Sequence, residues 1–157
     1  MSIEELDTWI PVVSLMRLAV AVAAAALIGW ERESLHKPAG LRTHMMVSLG
    51  AATFVLASME LGQQSAVKID PTRVVAGIVG GVGFLGAGTI IRSHGDIEGI
   101  TTAASVWVAA GIGTAAGLGM YRIVICVSLL SLFILGFLRI IQFRLTDKKT
   151  PSNAESV

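Results

Sequence analysis

The sequence predicts an all-α membrane protein, a bundle of about five transmembrane helices with its N-terminus outside and its C-terminus in the cytoplasm. Three observations carry this. First, 54% of the 157 residues are hydrophobic, only 15% are charged, and mean hydropathy is +0.74. Second, the apolar residues fall in long runs near 10–30, 45–61, 74–91, 100–120 and 123–141. Each run approaches the ~20 residues a helix needs to cross ~30 Å of hydrocarbon. A small soluble domain cannot bury five helices that are apolar on nearly every face. Third, Lys and Arg are unevenly shared between the connecting segments.

The first run is preceded by MSIEELDTW, an acidic segment over 1–9 that lacks the basic start of a signal peptide. The membrane domain is expected over 10–143 and a polar cytoplasmic tail over 144–157. Arg32, Lys37, Arg42, Arg92, Arg139, Arg144, Lys148 and Lys149 lie on one side of the predicted topology. Lys68, Arg73 and Arg122 lie on the other, so the first side is cytoplasmic by the positive-inside rule. Asp70-Pro71 reads as an N-cap followed by proline at the first helical position. Pro38 is expected to open the second helix, with 34–37 as the turn before it, and Ser93-His94-Gly95-Asp96 to end the third span. Trp9, Trp30 and Tyr121 fall near span ends, where amphipathic rings are at home.

Charge is concentrated in GWERESLHKPAGLRTH, residues 29–44, between the first two runs. With the 92–99 link it is expected to form one polar platform at the inner ends of the helices, where Glu31 and Arg42 are tied in. Glu31, Asp96 and Glu98 offer carboxylates to a hydrated Mg²⁺, or pair with Arg42 and Arg92 in a closed network. His36, His44 and His94 read as ordinary loop histidines. Arg17, about 10 Å into the layer by helical rise, has Glu60 as an expected intramembrane partner, either lining a cavity or as a structural pair.

The glycines give a false fingerprint and a packing signal. GVGFLG at 81–86 matches GxGxxG but sits inside an apolar run, without the acid ~20 residues on that a dinucleotide site needs. Gly77, Gly80, Gly83 and Gly86, with Gly88 beyond them, and Ala109, Gly113 and Gly117, are spaced for close helix packing in lipid. The alternative for the third span is an unwound segment lining an ion or substrate site. Thr101-Thr102 can cap the fourth helix or hydrogen-bond a neighbouring helix. Cys126 is the lone cysteine and excludes an intrachain disulfide. A formal charge of +1 gives no argument for nucleic acid, and no serine and histidine are paired as nucleophile and base. Neither a cofactor nor an enzyme is expected.

ERESLHKPAGLRTH at 31–44, GFLGAGTII at 83–91 and GITTAASVWVAAGIG at 99–113 resemble the signatures of the MgtC/SapB family of bacterial inner-membrane proteins. The likeness runs from about 15 to 140. By motif match it makes Glu31, Arg32, Lys37, Pro38, Gly40, Arg42 and Thr43 family positions, then Asp70, Arg73, Gly83, Gly86, Gly88, Thr101, Thr102 and Trp107. The resemblance implies a protein that supports growth at low magnesium and survival inside macrophages. It implies a regulator that binds another membrane complex, including restraint of the proton-driven ATP synthase, with cation transport as the rival reading. Self-association through the glycine faces is the third possibility. Longer relatives carry a soluble ACT-like domain after the membrane part, whereas this sequence ends at 157.

Overall fold

The computed structural model describes residues 3–64, 70–93 and 96–146. Five helices follow in order: α1 (Ile3–Ser34), α2 (Leu41–Gln64), α3 (Pro71–Ala87), α4 (Ile100–Gly117) and α5 (Tyr121–Thr146). An antiparallel hairpin, β1 (Ile91–Ser93) and β2 (Asp96–Glu98), joins α3 to α4, with Arg92 opposite Ile97. The fold is an all-α membrane bundle. The spans Pro11–Ser34, Leu41–Gln63 and Ile100–Gly117 are long and apolar enough to cross a membrane, and Thr72–Ala87 and Tyr121–Phe137 are shorter apolar helices. Phe84 is 83% exposed and Trp30 70%, an arrangement that suits lipid rather than water. Lys68, His94, Lys148 and Lys149 lie outside the described residues.

Several boundaries differ from expectation. The acidic start is not a separate segment, since α1 begins at Ile3. The charged strip is not all turn either, since Glu31, Arg32 and Glu33 belong to the last turns of α1. That helix closes with His36 at φ 53°, donating from its N–H to Glu33 O at 2.9 Å, while Lys37 N–H donates to Arg32 O at 3.1 Å. This is the double closure usually built on glycine. Pro38 does not open α2, which starts three residues later because Glu33 supplies its cap: Leu41 N–H donates to Glu33 Oε2 at 2.7 Å. Thr101 and Thr102 do not cap α4. Its N-cap is Gly99, at φ 90°, and a Cβ there would run into the Thr89 carbonyl, so the position excludes any capping side chain. Asp70 does cap α3: Thr72 N–H donates to its Oδ1 at 2.9 Å and the Thr72 hydroxyl at 2.7 Å. The Thr72 hydroxyl and N–H together hold the Asp70 carboxyl below its ordinary pKa.

The core is the junction of α1, α2 and α4. Ala21, Ile28, Ala52, Ile112 and Ala116 are closed from the surroundings, and Val124 of α5 joins them. Small residues on α4 permit this. A Cβ on Gly113 would overlap the Ser48 backbone, and one on Gly117 would come within 3.0 Å of Ala52 O. Helix α3 is peripheral, reaching the core through Val82 against Ala51 and Ala110. Its glycines correct the packing expectation. A Cβ on Gly77, Gly80 or Gly83 would meet no neighbouring element within 4 Å, and of the four only Gly86 faces α4 closely, at Ala103. Gly88 follows the end of α3 as its C-cap. The segment is helical throughout, so the unwound alternative is not what the structure has.

Candidate functional site at the strip end of the bundle

The chain path brings the end of α1, the start of α2, the hairpin and the start of α4 to one end of the bundle, called here the strip end. The end of α1, the turn after it, β2, the start of α4 and α5 enclose a cleft of about 1210 Å³. Its polar residues are Arg32, His36, Lys37, Glu98, Thr101 and Thr102. Leu35, Ile97, Ile100, Ile134 and Leu135 supply an apolar side. The strip and the hairpin therefore face one cavity.

Beside the cleft lies an ion pair. Arg32 is 4% exposed, and its Nε and Nη2 donate to Glu31 Oε2 and Oε1 at 2.5 and 2.9 Å. The closed network was expected to draw on Arg42 and Arg92, but Arg42 is exposed on the other side of the turn. A buried guanidinium needs a close acceptor, and its neighbour in sequence provides it. Thr43 is also exposed and lines an apolar groove between α2 and α3. Arg92 is exposed on β1. Among the described residues no three His, Cys, Asp or Glu side chains are grouped around a common metal position.

His44 is not a loop histidine. It is fully buried in α2, with Nδ1 2.8 Å from Gly40 O and Nε2 3.0 Å from Ser105 Oγ on α4. Since a carbonyl only accepts, Nδ1 carries a proton. The Ser105 hydroxyl also lies 2.8 Å from Thr102 O, so its one hydrogen is shared between that carbonyl and His44 Nε2. The contact of Ser105 with His44 has the residue types of a nucleophile and base, but both are buried and line none of the described cavities. One turn deeper, the Ser48 hydroxyl donates to Ala21 O at 2.9 Å and ties α2 to α1. Gly29 makes room for this junction, since a Cβ there would sit 2.7 Å from Leu41 Cα. The residues missed from sequence here are Glu33, His44, Ser48 and Ser105. The spacing of His44, Ser48, Ala51, Ala52 and Val55 is the signal that was available, for it marks one buried stripe on α2.

The remaining candidates lie elsewhere. Asp70 and Arg73 sit at the opposite end of the bundle, at the start of α3. Trp107 is 52% exposed beside Val79 and Met120. Arg17 and Glu60 line one pocket of about 220 Å³ with Ser14 and Gln63. Arg17 also closes α4: its Nη1 donates to Gly117 O at 2.9 Å. A cation at a helix C-terminus complements the carbonyl dipoles.

Fold and site define a helical membrane bundle with a polar cleft at its strip end and a second group of charged residues at the other. The chain belongs to the MgtC family, whose profile matches residues 18–144. It is 41% identical over 138 residues to YhiD of Escherichia coli K12, named as a candidate magnesium transporter, covering 85% of this chain and 64% of that protein. It is 42% identical over 123 residues to the protein MgtC of Salmonella typhimurium LT2, covering 74% of this chain and 51% of the relative. With the protein MgtC of Brucella abortus it shares 46% identity over 103 residues, 66% of this chain and 42% of the other. The chain thus spans about half to two thirds of the length of the Escherichia coli and Salmonella relatives. No solved structure matches it.

Proposed function

We propose that the protein is a multi-pass regulator in the bacterial inner membrane that acts under magnesium limitation, and in intracellular survival, by binding another membrane complex through the strip-end cleft. The ATP synthase is the complex the family resemblance suggests. The N-terminus then faces out and the cleft faces the cytoplasm, as the distribution of Lys and Arg requires. One observation carries this reading over transport. The polar groups open to the surroundings lie at the two ends of the bundle, while α2 and α4 pack backbone to backbone at Gly113 and Gly117 between them. A cation pathway needs polar groups that continue through the layer.

Magnesium transport is the second reading, and the name of the Escherichia coli relative favours it. Reconstitution separates the two. Purified, folded protein in liposomes is expected to give no Mg²⁺ flux above empty liposomes, with or without a proton gradient. Flux that falls in a Lys37→Gln or Arg17→Lys variant would establish transport and overturn the regulator.

A further inference from the structure

The strip-end cleft has features that docking of a protein partner does not require. Helix α4 begins on its wall, and Gly99, Ile100, Thr101 and Thr102 all line it. The backbone conformation of Gly99 and the nearby Thr89 carbonyl exclude a capping side chain, so the first turn has no side-chain acceptor for its N–H groups. Thr102 is 2% exposed, and its hydroxyl has no hydrogen-bond partner among the described residues. Uncapped N–H groups and the hydroxyl of a nearly buried residue that lines the cleft are, on one wall, the donor set of an anion site. Lys37 and Arg32 add positive charge, the latter partly balanced by Glu31.

A third feature is the turn itself. His36 lines the cleft with its backbone in the left-handed region, which favours glycine. Such conformations on non-glycine residues collect at ligand sites. The opposite side, Leu35, Ile97, Ile134 and Leu135, is apolar, and Ile134 is open to the surroundings of α5.

The geometry points to a binding site for a phosphate ester in this cleft, its phosphate on the first turn of α4 and on Thr102 and Lys37. Glu98 on the rim accepts from a hydroxyl of the same head group. The apolar wall beside α5 takes the adjoining hydrocarbon, so an anionic phospholipid satisfies the whole cleft and a free phosphate satisfies only its polar part. This site holds whether the protein regulates or transports, because it rests on the cleft alone.

The test uses the full chain purified in detergent, titrated with phosphatidylglycerol and, separately, with inorganic phosphate, and read by native mass spectrometry and thermal shift. Saturable phosphatidylglycerol binding is expected, weakened about tenfold by Thr102→Val and by Lys37→Gln, each losing one charge-assisted hydrogen bond. Inorganic phosphate binding that is weaker but equally sensitive to both variants supports the same polar site. Lys37→Gln changes an exposed side chain and carries the test if Thr102→Val does not fold. No saturable binding of either probe, or binding unchanged in the variants that fold, would overturn the proposal.

Discussion

His44 on α2 and Ser105 on α4 lie 61 residues apart in sequence and 3.0 Å apart in the fold. Both are buried, and His44 is held at its other nitrogen by Gly40 O. The ring therefore bridges the start of α2 to the start of α4 immediately behind the cleft. His44→Ala removes the bridge and leaves a void. The expected loss is about 2–4 kcal/mol, from the unpaired polar groups and the cavity together. Chemical denaturation in detergent measures it, and His44→Gln is expected to lose less. A change below the resolution of the assay would remove the bridge from the list of stabilising contacts.

Two glycines of the same type should respond in opposite ways. Gly113→Ala places a Cβ into the Ser48 backbone and should cost about 1–3 kcal/mol or more as α2 and α4 separate. Gly80→Ala meets no atom within 4 Å. It should be neutral or stabilising by up to about 1 kcal/mol, since alanine is the better helix former. Melting temperatures of the two variants decide the matter.

At the end of α1, His36→Gly should raise stability by roughly 0.5–1 kcal/mol, because glycine adopts the observed φ of 53° without strain. The same change removes a cleft side chain, so growth at low magnesium should be impaired while the melting temperature rises. Stability and activity moving together would show that His36 serves only the turn.

Much of the bundle was legible in the sequence, because apolar runs report directly on burial in lipid or core. The α3 cap was legible too, since Asp70-Pro71 is a local signal. What failed depended on distant partners. The glycine spacing in α3 matched a packing motif, but spacing cannot say whether a neighbour is present, and α4 had already spent its small face on α2. Glu33 as the cap of α2 requires the turn to fold back over eight positions. His44 was misread for the same reason: a histidine beside a charged strip looks solvated until α4 covers it. Of the site, part of the strip and part of the link line one cleft. The pairing beside it was not legible, because Arg32 rather than Arg42 turns inward.

The Glu31–Arg32 pair gives a sharper test. Glu31→Gln leaves the Arg32 guanidinium at 4% exposure with a weaker acceptor, and about 3 kcal/mol is the expected loss. Replacing both, Glu31→Gln with Arg32→Met, should restore most of it, because the buried charge is gone. Thermal unfolding of the three variants closes the cycle, and an additive double variant would contradict a direct pair.

Asp70 should show a pH signature. Its carboxyl is held below the ordinary range by the Thr72 hydroxyl and N–H, so the folded state favours the ionised form. Its contribution to the first turn of α3 is complete above the unfolded pKa of about 4. It is lost as pH falls through the lower folded value. Hydrogen exchange of that turn should accelerate on acidification, and Asp70→Asn should remove the dependence. Identical pH profiles would show that the cap titrates elsewhere.

The central claim is that the strip-end cleft is where the protein meets its partner. A photoreactive residue placed at Thr101, on the cleft, and at Phe54, on the α2–α3 groove, tests it in cells growing at low magnesium. The account predicts a discrete cross-link to one membrane complex from position 101, lost when Lys37→Gln abolishes growth at normal protein levels. A discrete cross-link from position 54 alone, with cleft variants fully active, would contradict it.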